Sequence, residues 1–480
     1  MNKLKRTLAL VATLALATTA FVGCGDDNSS TTSPADNSSK TEESKTDDSS
    51  KAEDSGKAEE KAENTVPNTG DTLSILCWTG DDIKAMKECF LANNSDVKDS
   101  DITWVQCGTK GADAAENYTQ YFAGDKDADL YIAEADWIMT FINNDEVSAP
   151  LSKLGLTDDD FKTNYDYIKQ IGTDKNGVLK GTSWQSTPGG FAYRADLAKE
   201  YLGASTPAEM QEKVKDWDTF MATAATISEK TSGKMNMTAT IGGLWQVFSY
   251  NRAQAWVDKD NKLAIDDSCT KFMEMIKEMR DKNYVSAEDQ WSDAWFALGA
   301  KGDTFGYFVC SWCFGDDTST FGKMQGGKDN ENYGKWGFVK GPQEYAWGGS
   351  WLCLSPKADN GELAEKFVRF FCSNEETMKT YAEYKGEFVN SYNVMKQIVD
   401  GGKHTTPLLA DNQDQFSIMI DVAAGINLDG KITPYDATIK TDYIDAVNNY
   451  VKGNTASVDD ALKAFKTKVA SDLPEALNWE

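Results

Sequence analysis

The chain has 480 residues, with 49 Lys plus Arg against 76 Asp plus Glu, a formal net charge of -27 and a single histidine. That balance argues against nucleic acid, whose phosphates are held by clustered basic residues, and against a surface that clings to anionic lipid. One histidine excludes multi-histidine metal sites and argues against a catalytic triad, while 14 tryptophans supply flat apolar faces with a polar edge, suited to a flat, polar-rimmed partner.

In chain order, Lys3, Lys5 and Arg6 precede an apolar run from Leu8 to Val22. The run is too short for a bilayer span of ~20 residues, so residues 1–23 read as an export signal. It ends in Phe21-Val22-Gly23-Cys24, which resembles the lipobox of bacterial lipoproteins, with Phe where Leu is usual and Cys24 as the lipidated residue. From Gly25 to about Gly70 the text is Ser, Thr, Asp, Glu, Lys, Ala and Asn. Such a segment cannot bury enough apolar surface to offset its ordering entropy, so residues 24–70 read as an anchored, disordered acidic tether.

Globular composition begins at Asp71. Thr72–Trp78 predicts a strand, Ile83–Leu91 a helix, Ile102–Cys107 a strand, Ala112–Ala123 a helix and Asp129–Ile132 a third strand. This alternation predicts a doubly wound, mostly parallel sheet, with ligands gathering at the carboxyl ends of its strands. Asp174-Lys-Asn-Gly177 is a hairpin turn signal before Val178–Trp184. Helices are predicted over Trp217–Ser228, Cys269–Lys282, Glu362–Cys372, Glu375–Tyr384, Asp442–Lys452 (capped by Thr441) and Val458–Ala470 (capped by Ser457). Short β runs recur at Phe305–Val309, Trp336–Val339 and Trp351–Leu354.

Several stretches in order resemble the extracellular sugar-binding proteins of ABC importers, the maltose-binding type: Gly181–Leu197 with Tyr193-Arg-Ala-Asp196, Lys215–Ala224, Phe305–Trp312, Trp336–Pro342 followed by Trp347–Lys357, and Asn454–Leu462. The resemblance implies a periplasmic-binding-protein-like α/β fold of two lobes joined by a hinge of about three crossings, with sugar held between them. Mapped here, one lobe takes 71–184 plus 349–405 and the other 185–348 plus 406–480. It further implies an oligosaccharide ligand, an ABC permease partner, a lipid anchor on the outer face of the cytoplasmic membrane, a monomer, no cofactor and no catalysis.

A pyranose presents CH faces and a rim of hydroxyls, so aromatic planes and carboxylate or amide edges are the chemistry that grips it. Candidates after the first strand are Trp78, Asp81 and Asp82, and after the third Glu134 and Asp136. Trp184 and Gln185 lie near the first crossing. Trp245 and Trp312 come from the second lobe, with Trp312 the leading stacking platform. Trp347 and Trp351 flank Gly348-Gly349, and one of the two is expected to see the ligand. Trp291 and Trp295, at helical spacing, read as core or rim.

Cys310-Ser-Trp-Cys313 has CxxC spacing, but no second such pair completes a zinc site, and the motif follows a strand late in the chain. Asp258–Leu263 starts like an EF-hand loop yet lacks its glycine and final acid, and reads as a turn. Two readings from other classes remain open to the residues alone: an exported glycoside hydrolase, which needs a carboxylate pair, and a glycan-capture surface protein.

Overall fold

The computed structural model describes residues 63–78, 80–108, 111–124, 128–402 and 404–479. The signal segment, Cys24 and the tether through residue 62 lie outside the described residues, as do the side chains of Asp81 and Asp82.

The first sheet has the order β2-β1-β3-β9-β4: β1 is Leu73–Cys77, β2 Ile102–Gln106, β3 Leu130–Glu134, β4 Gly181–Ser183 and β9 Ser350–Leu354. β1 pairs parallel with β2, from Leu73↔Ile102 to Cys77↔Gln106, and with β3. The helices Asp81–Asn93 and Gly111–Ala123 make the crossovers. Parallel strands enclosed by helices are apolar along their length, and β3 is buried at Leu130, Tyr131, Ile132 and Ala133.

The amino ends of these strands are tied by Asp129. Its buried carboxylate accepts from the Ser74 amide (2.7 Å) and the amides of Asp359 (2.8 Å) and Asn360 (3.0 Å), so a charge out of water is met by several donors. Residues 63–70, expected to belong to the tether, are instead laid on this lobe. Asn64 bridges to Leu154 and donates to the Gly361 carbonyl (2.9 Å), Val66 is buried, and the amides of Thr69 and Gly70 reach the Asp359 carbonyl.

The second sheet has the order β6-β7-β5-β8: β5 is Gly189–Arg194, β6 Asn236–Thr238, β7 Thr304–Cys310 and β8 Trp336–Val339. Phe191, Phe220 and Phe308 form its aromatic centre, with Phe220 and Phe308 stacked at 5.6 Å. In each sheet one strand runs against the others, β9 in the first and β5 in the second. Both follow a passage of the chain from one sheet to the other, so each enters from the side at which its sheet's other strands end.

Most predicted helices agree to within two residues, and Ser457 caps its helix by accepting from the Asp460 amide at 3.1 Å. The exception is the helix expected from Asp442. It runs Asp436–Val451, and Thr441 lies inside it with its hydroxyl on the Ala437 carbonyl (2.9 Å). Asp436 starts it, its carboxylate accepting from the Thr433 amide (3.0 Å) and hydroxyl (2.6 Å). The strand expected over Val178–Trp184 shortens to Gly181–Ser183. The Asp258 segment is a turn, with Val257 paired to Leu263 and the Asp258 carboxylate on two local amides. Among the described residues no helix is long and apolar enough to cross a membrane.

Candidate functional site

Between the sheets two passages of chain are fastened to each other. Pro188 bridges to Ala346, the Trp347 amide donates to the Thr187 carbonyl (3.0 Å), and the Thr187 hydroxyl donates to the Gly348 carbonyl (3.0 Å). Gly348 and Gly349 have φ of 62° and 110°, a left-handed path that strains any side chain, and a Cβ on Gly349 would crowd Trp351 and Thr187. Tyr167, whose hydroxyl pairs with Ser186 (2.9 Å) and accepts from the Thr187 amide (2.8 Å), braces this joint from the first lobe. The segment at Leu408 and Leu409 is laid against the second sheet, where Leu409 bridges to Trp336 and the Leu408 carbonyl accepts from Gln325 (2.9 Å).

Beside the joint lies a cleft enclosing about 780 Å³, solvent at its mouth included, walled by Asp136 and Met139 of the first lobe and by Gln246, Tyr250 and Lys440 of the second. The lobes touch across it. Lys440 Nζ sits 3.0 Å from both Asp136 oxygens and 3.3 Å from Gln246 Oε1. Further along, the Thr140 hydroxyl donates to the Pro434 carbonyl (3.4 Å), and Gln170 pairs with Asn427 (3.0 Å) and the Leu428 amide (2.6 Å). This is a closed arrangement. Burial alone would lower the Lys440 pKa, but the Asp136 carboxylate holds it above its ordinary value.

Glu134, at the carboxyl end of β3, turns back so that one oxygen accepts from the Asp136 amide (2.8 Å). Burial, then the neighbouring Asp136 charge, pushes its pKa up to about 8. At neutral pH it therefore carries a proton and can donate as well as accept. A Cβ on Gly348 would stand 3.4 Å from Glu134 Oε1 and 3.8 Å from Trp312 Nε1, so carboxyl and indole converge at the glycine joint.

Trp312 occupies the short turn after β7, half-buried, its indole N–H donating to the Trp347 carbonyl (2.8 Å). Trp347 is also half-buried, and Trp291, 47% exposed, rests against both, with ring centroids 6.0 Å from Trp312 and 5.8 Å from Trp347. Trp291 has a φ of 71°, a left-handed conformation that costs a bulky residue energy, and its indole packs 5.1 Å from Trp295 of the helix that follows. Of this group Gly348 lines the cleft, while Trp291, Trp312, Trp347 and Glu134 stand behind it, the Trp312 ring edge and the Glu134 carboxyl meeting beside that glycine.

Other expected residues fall elsewhere. Trp351 is fully buried, its N–H on the Ile168 carbonyl (3.0 Å), so of the pair flanking the glycines only Trp347 keeps exposed surface. Trp184 is fully buried beneath the joint, and Gln185 is buried where it bridges to Val389. Trp245 forms the cleft's inner wall but is 1% exposed, packed on Trp256, Tyr443 and Phe272, so it supports the wall and presents no plate. Trp78, half-buried with an unpaired indole N–H, packs on the first lobe's core and does not line the cleft. Sequence reasoning missed Lys440, Gln246 and Tyr250. Lys440 is recognisable only once the fold brings it to Asp136, 304 residues earlier.

The family model described as bacterial extracellular solute-binding protein matches residues 93–398. No curated protein matches the chain. Solved structures of similar fold include an extracellular solute-binding protein of family 1, at 18% identity and a TM-score of 0.72, covering 84% of this chain and 100% of that one. The sugar-binding protein MalE of Xanthomonas citri aligns at 17% identity and a TM-score of 0.64 over 84% of this chain and 98% of its own. A binding protein associated with an ABC transporter of B. animalis subsp. lactis Bl-04, solved with β-1,6-galactobiose, aligns at 14% and 0.61 over 85% and 98%. With two sheets fastened at a glycine joint and a cleft between them, the chain belongs to the bacterial extracellular solute-binding proteins.

Proposed function

We propose that the protein binds a carbohydrate, an oligosaccharide of several rings, and delivers it unaltered to an ABC importer. The observation that carries this reading is the meeting, at Gly348, of the Trp312 indole with the Glu134 carboxyl beside Asp136, with the Trp291 and Trp347 rings packed against Trp312. Indole plates suit the CH faces of a sugar ring, and the carboxyls suit its hydroxyl rim. Because the plates belong to the second lobe and the joint while the carboxyls belong to the first, a ligand touching both gains more from the closed form than from the open one.

A glycoside hydrolase would place two carboxyls on opposite sides of a scissile bond. Glu134 and Asp136 instead lie on one side, the first accepting from the amide of the second, and Asp436 on the facing wall is engaged by Arg252 and Thr433, which favours holding over cleaving. Thermal-shift screening against neutral oligosaccharides, followed by chromatography of the recovered glycan, tests the reading. Binding with intact glycan supports it, whereas shortened glycan or no stabilisation by any member of the panel refutes it. A ligand at 100 times its Kd adds ~2.7 kcal/mol, enough to read clearly.

The same reading makes the chain a monomer tethered by lipid on Cys24 at the outer face of the cytoplasmic membrane. Support comes from the signal text, the Gly23-Cys24 junction and the polar segment that follows. Replacing Cys24 with Ser should move the protein from the membrane fraction to the medium or periplasm, and unchanged fractionation would refute the anchor.

A further inference from the structure

None of the eight described cysteines is in a disulfide, and two of them, Cys310 and Cys313, stand with their sulfurs 3.7 Å apart. They bracket Trp312 on the turn that ends β7, and both are buried. Cys310 Sγ lies 3.8 Å from the Trp347 carbonyl, the same oxygen that receives the Trp312 indole N–H. One carbonyl next to the glycine joint is thus held by a thiol and by the candidate stacking plate. Two sulfurs in contact, three residues apart, need only side-chain rotation and a small tightening of the turn to reach bonding distance.

We propose that Cys310 and Cys313 are a redox modification site that closes to an intramolecular disulfide by exchange with a small external disulfide, and that this loosens the hold of the Trp347 carbonyl. In the first step one protein thiolate attacks the external disulfide, forming a mixed disulfide and releasing one small thiol. The second protein thiolate then attacks the protein sulfur of that mixed disulfide, releasing the other small thiol. The protein loses two protons and two electrons, and the external disulfide gains them. Oxidation removes the S–H donor from the Trp347 carbonyl and tightens the turn beneath Trp312. Burial pushes the Cys310 thiol well above its ordinary pKa, which makes the dithiol slow until the turn opens. An exported chain meets disulfides outside the cytoplasm, where such exchange persists. None of this depends on which sugar is bound.

The full chain is incubated with glutathione disulfide, alkylated and digested with trypsin, which leaves residues 302–323 as one peptide whose only cysteines are Cys310 and Cys313. The expected result is a peptide lighter by two hydrogens that takes no alkyl group, restored to the doubly alkylated form by dithiothreitol. Hydrogen exchange then reads the coupling: amide exchange at Trp347 should quicken by about fivefold on oxidation, the equivalent of one lost hydrogen bond. Persistent double alkylation, under conditions that oxidise the isolated 302–323 peptide, overturns the proposal. So does a glutathione adduct that never closes. A disulfide that forms while exchange at Trp347 stays unchanged refutes the coupling. In Cys310→Ser, Cys313 should stop at the mixed disulfide. The wild-type readings stand whether or not that variant folds.

Discussion

Glu134 makes the sharpest demand on the structure. Its pKa rises from the ordinary 4.5 to about 8, so between those pH values the unfolded chain has lost a proton that the folded chain keeps. Stability from this residue is therefore complete below about pH 4.5 and is lost as pH climbs through the window toward 8. At ~1.36 kcal/mol per pH unit the full loss is about 5 kcal/mol. Opening of the cleft rehydrates the carboxyl and limits what is observed to about 2–5 kcal/mol. Glu134→Gln retains the size and the acceptor for the Asp136 amide but cannot ionise. Urea unfolding of both proteins at pH 5 and pH 8.5 should show the wild type losing stability relative to the variant by that amount. A stability difference that is the same at both pH values would refute the reasoning, because it would mean that Glu134 is solvated like a surface acid.

Three further outcomes follow from the geometry. Trp312→Ala should weaken calorimetric affinity for a glycan retained in the panel by ~1–3 kcal/mol, and equal affinity would remove Trp312 from the site. Trp351→Ala should cost about 3–5 kcal/mol in urea unfolding because it empties a sealed part of the core, and a cost near zero would contradict its burial. For Asp136 and Lys440, a double-mutant cycle with Asp136→Asn and Lys440→Met should give a coupling below about 1 kcal/mol that falls with salt, because the Asp136 side chain is 57% exposed. A coupling several times larger would show a cleft far drier than its geometry implies.

The strands and most helices were legible because each is fixed by local period: the apolar runs of β1 and β3 can be buried only between layers of helix. The tryptophans were not legible to the same degree. Trp184, Trp312 and Trp351 all stand at or near strand ends, yet which way each faces depends on the next turn of chain. The left-handed pair Gly348-Gly349 lies between Trp347 and Trp351, and one keeps exposed surface while the other is sealed. Trp291 and Trp295, read as core or rim, divide into one of each: Trp295 is sealed in the core, and Trp291, ahead of the helix Asp293–Lys301 in a positive-φ conformation, packs on it at the rim. Residues 63–70 look like tether by composition. What lays them on the lobe is pairing with Leu154 and Asn360, partners far along the chain that no local window contains.

The placement of β9 also bears on how the molecule comes into being. That strand sits between β3 and β4, pairing Leu130 with Leu354 and Gly181 with Cys353, although more than 150 residues separate it from β4 in sequence. As the polypeptide emerges, its amino-terminal half has a gap inside its sheet, between β3 and the edge strand β4, that only a much later segment can fill. Such distant pairing slows assembly and leaves strand edges unprotected in the meantime, so delivery of an unfolded chain across the membrane before β9 arrives suits this topology. A fragment ending before residue 350 would lack that interior strand and should aggregate instead of yielding an autonomous half.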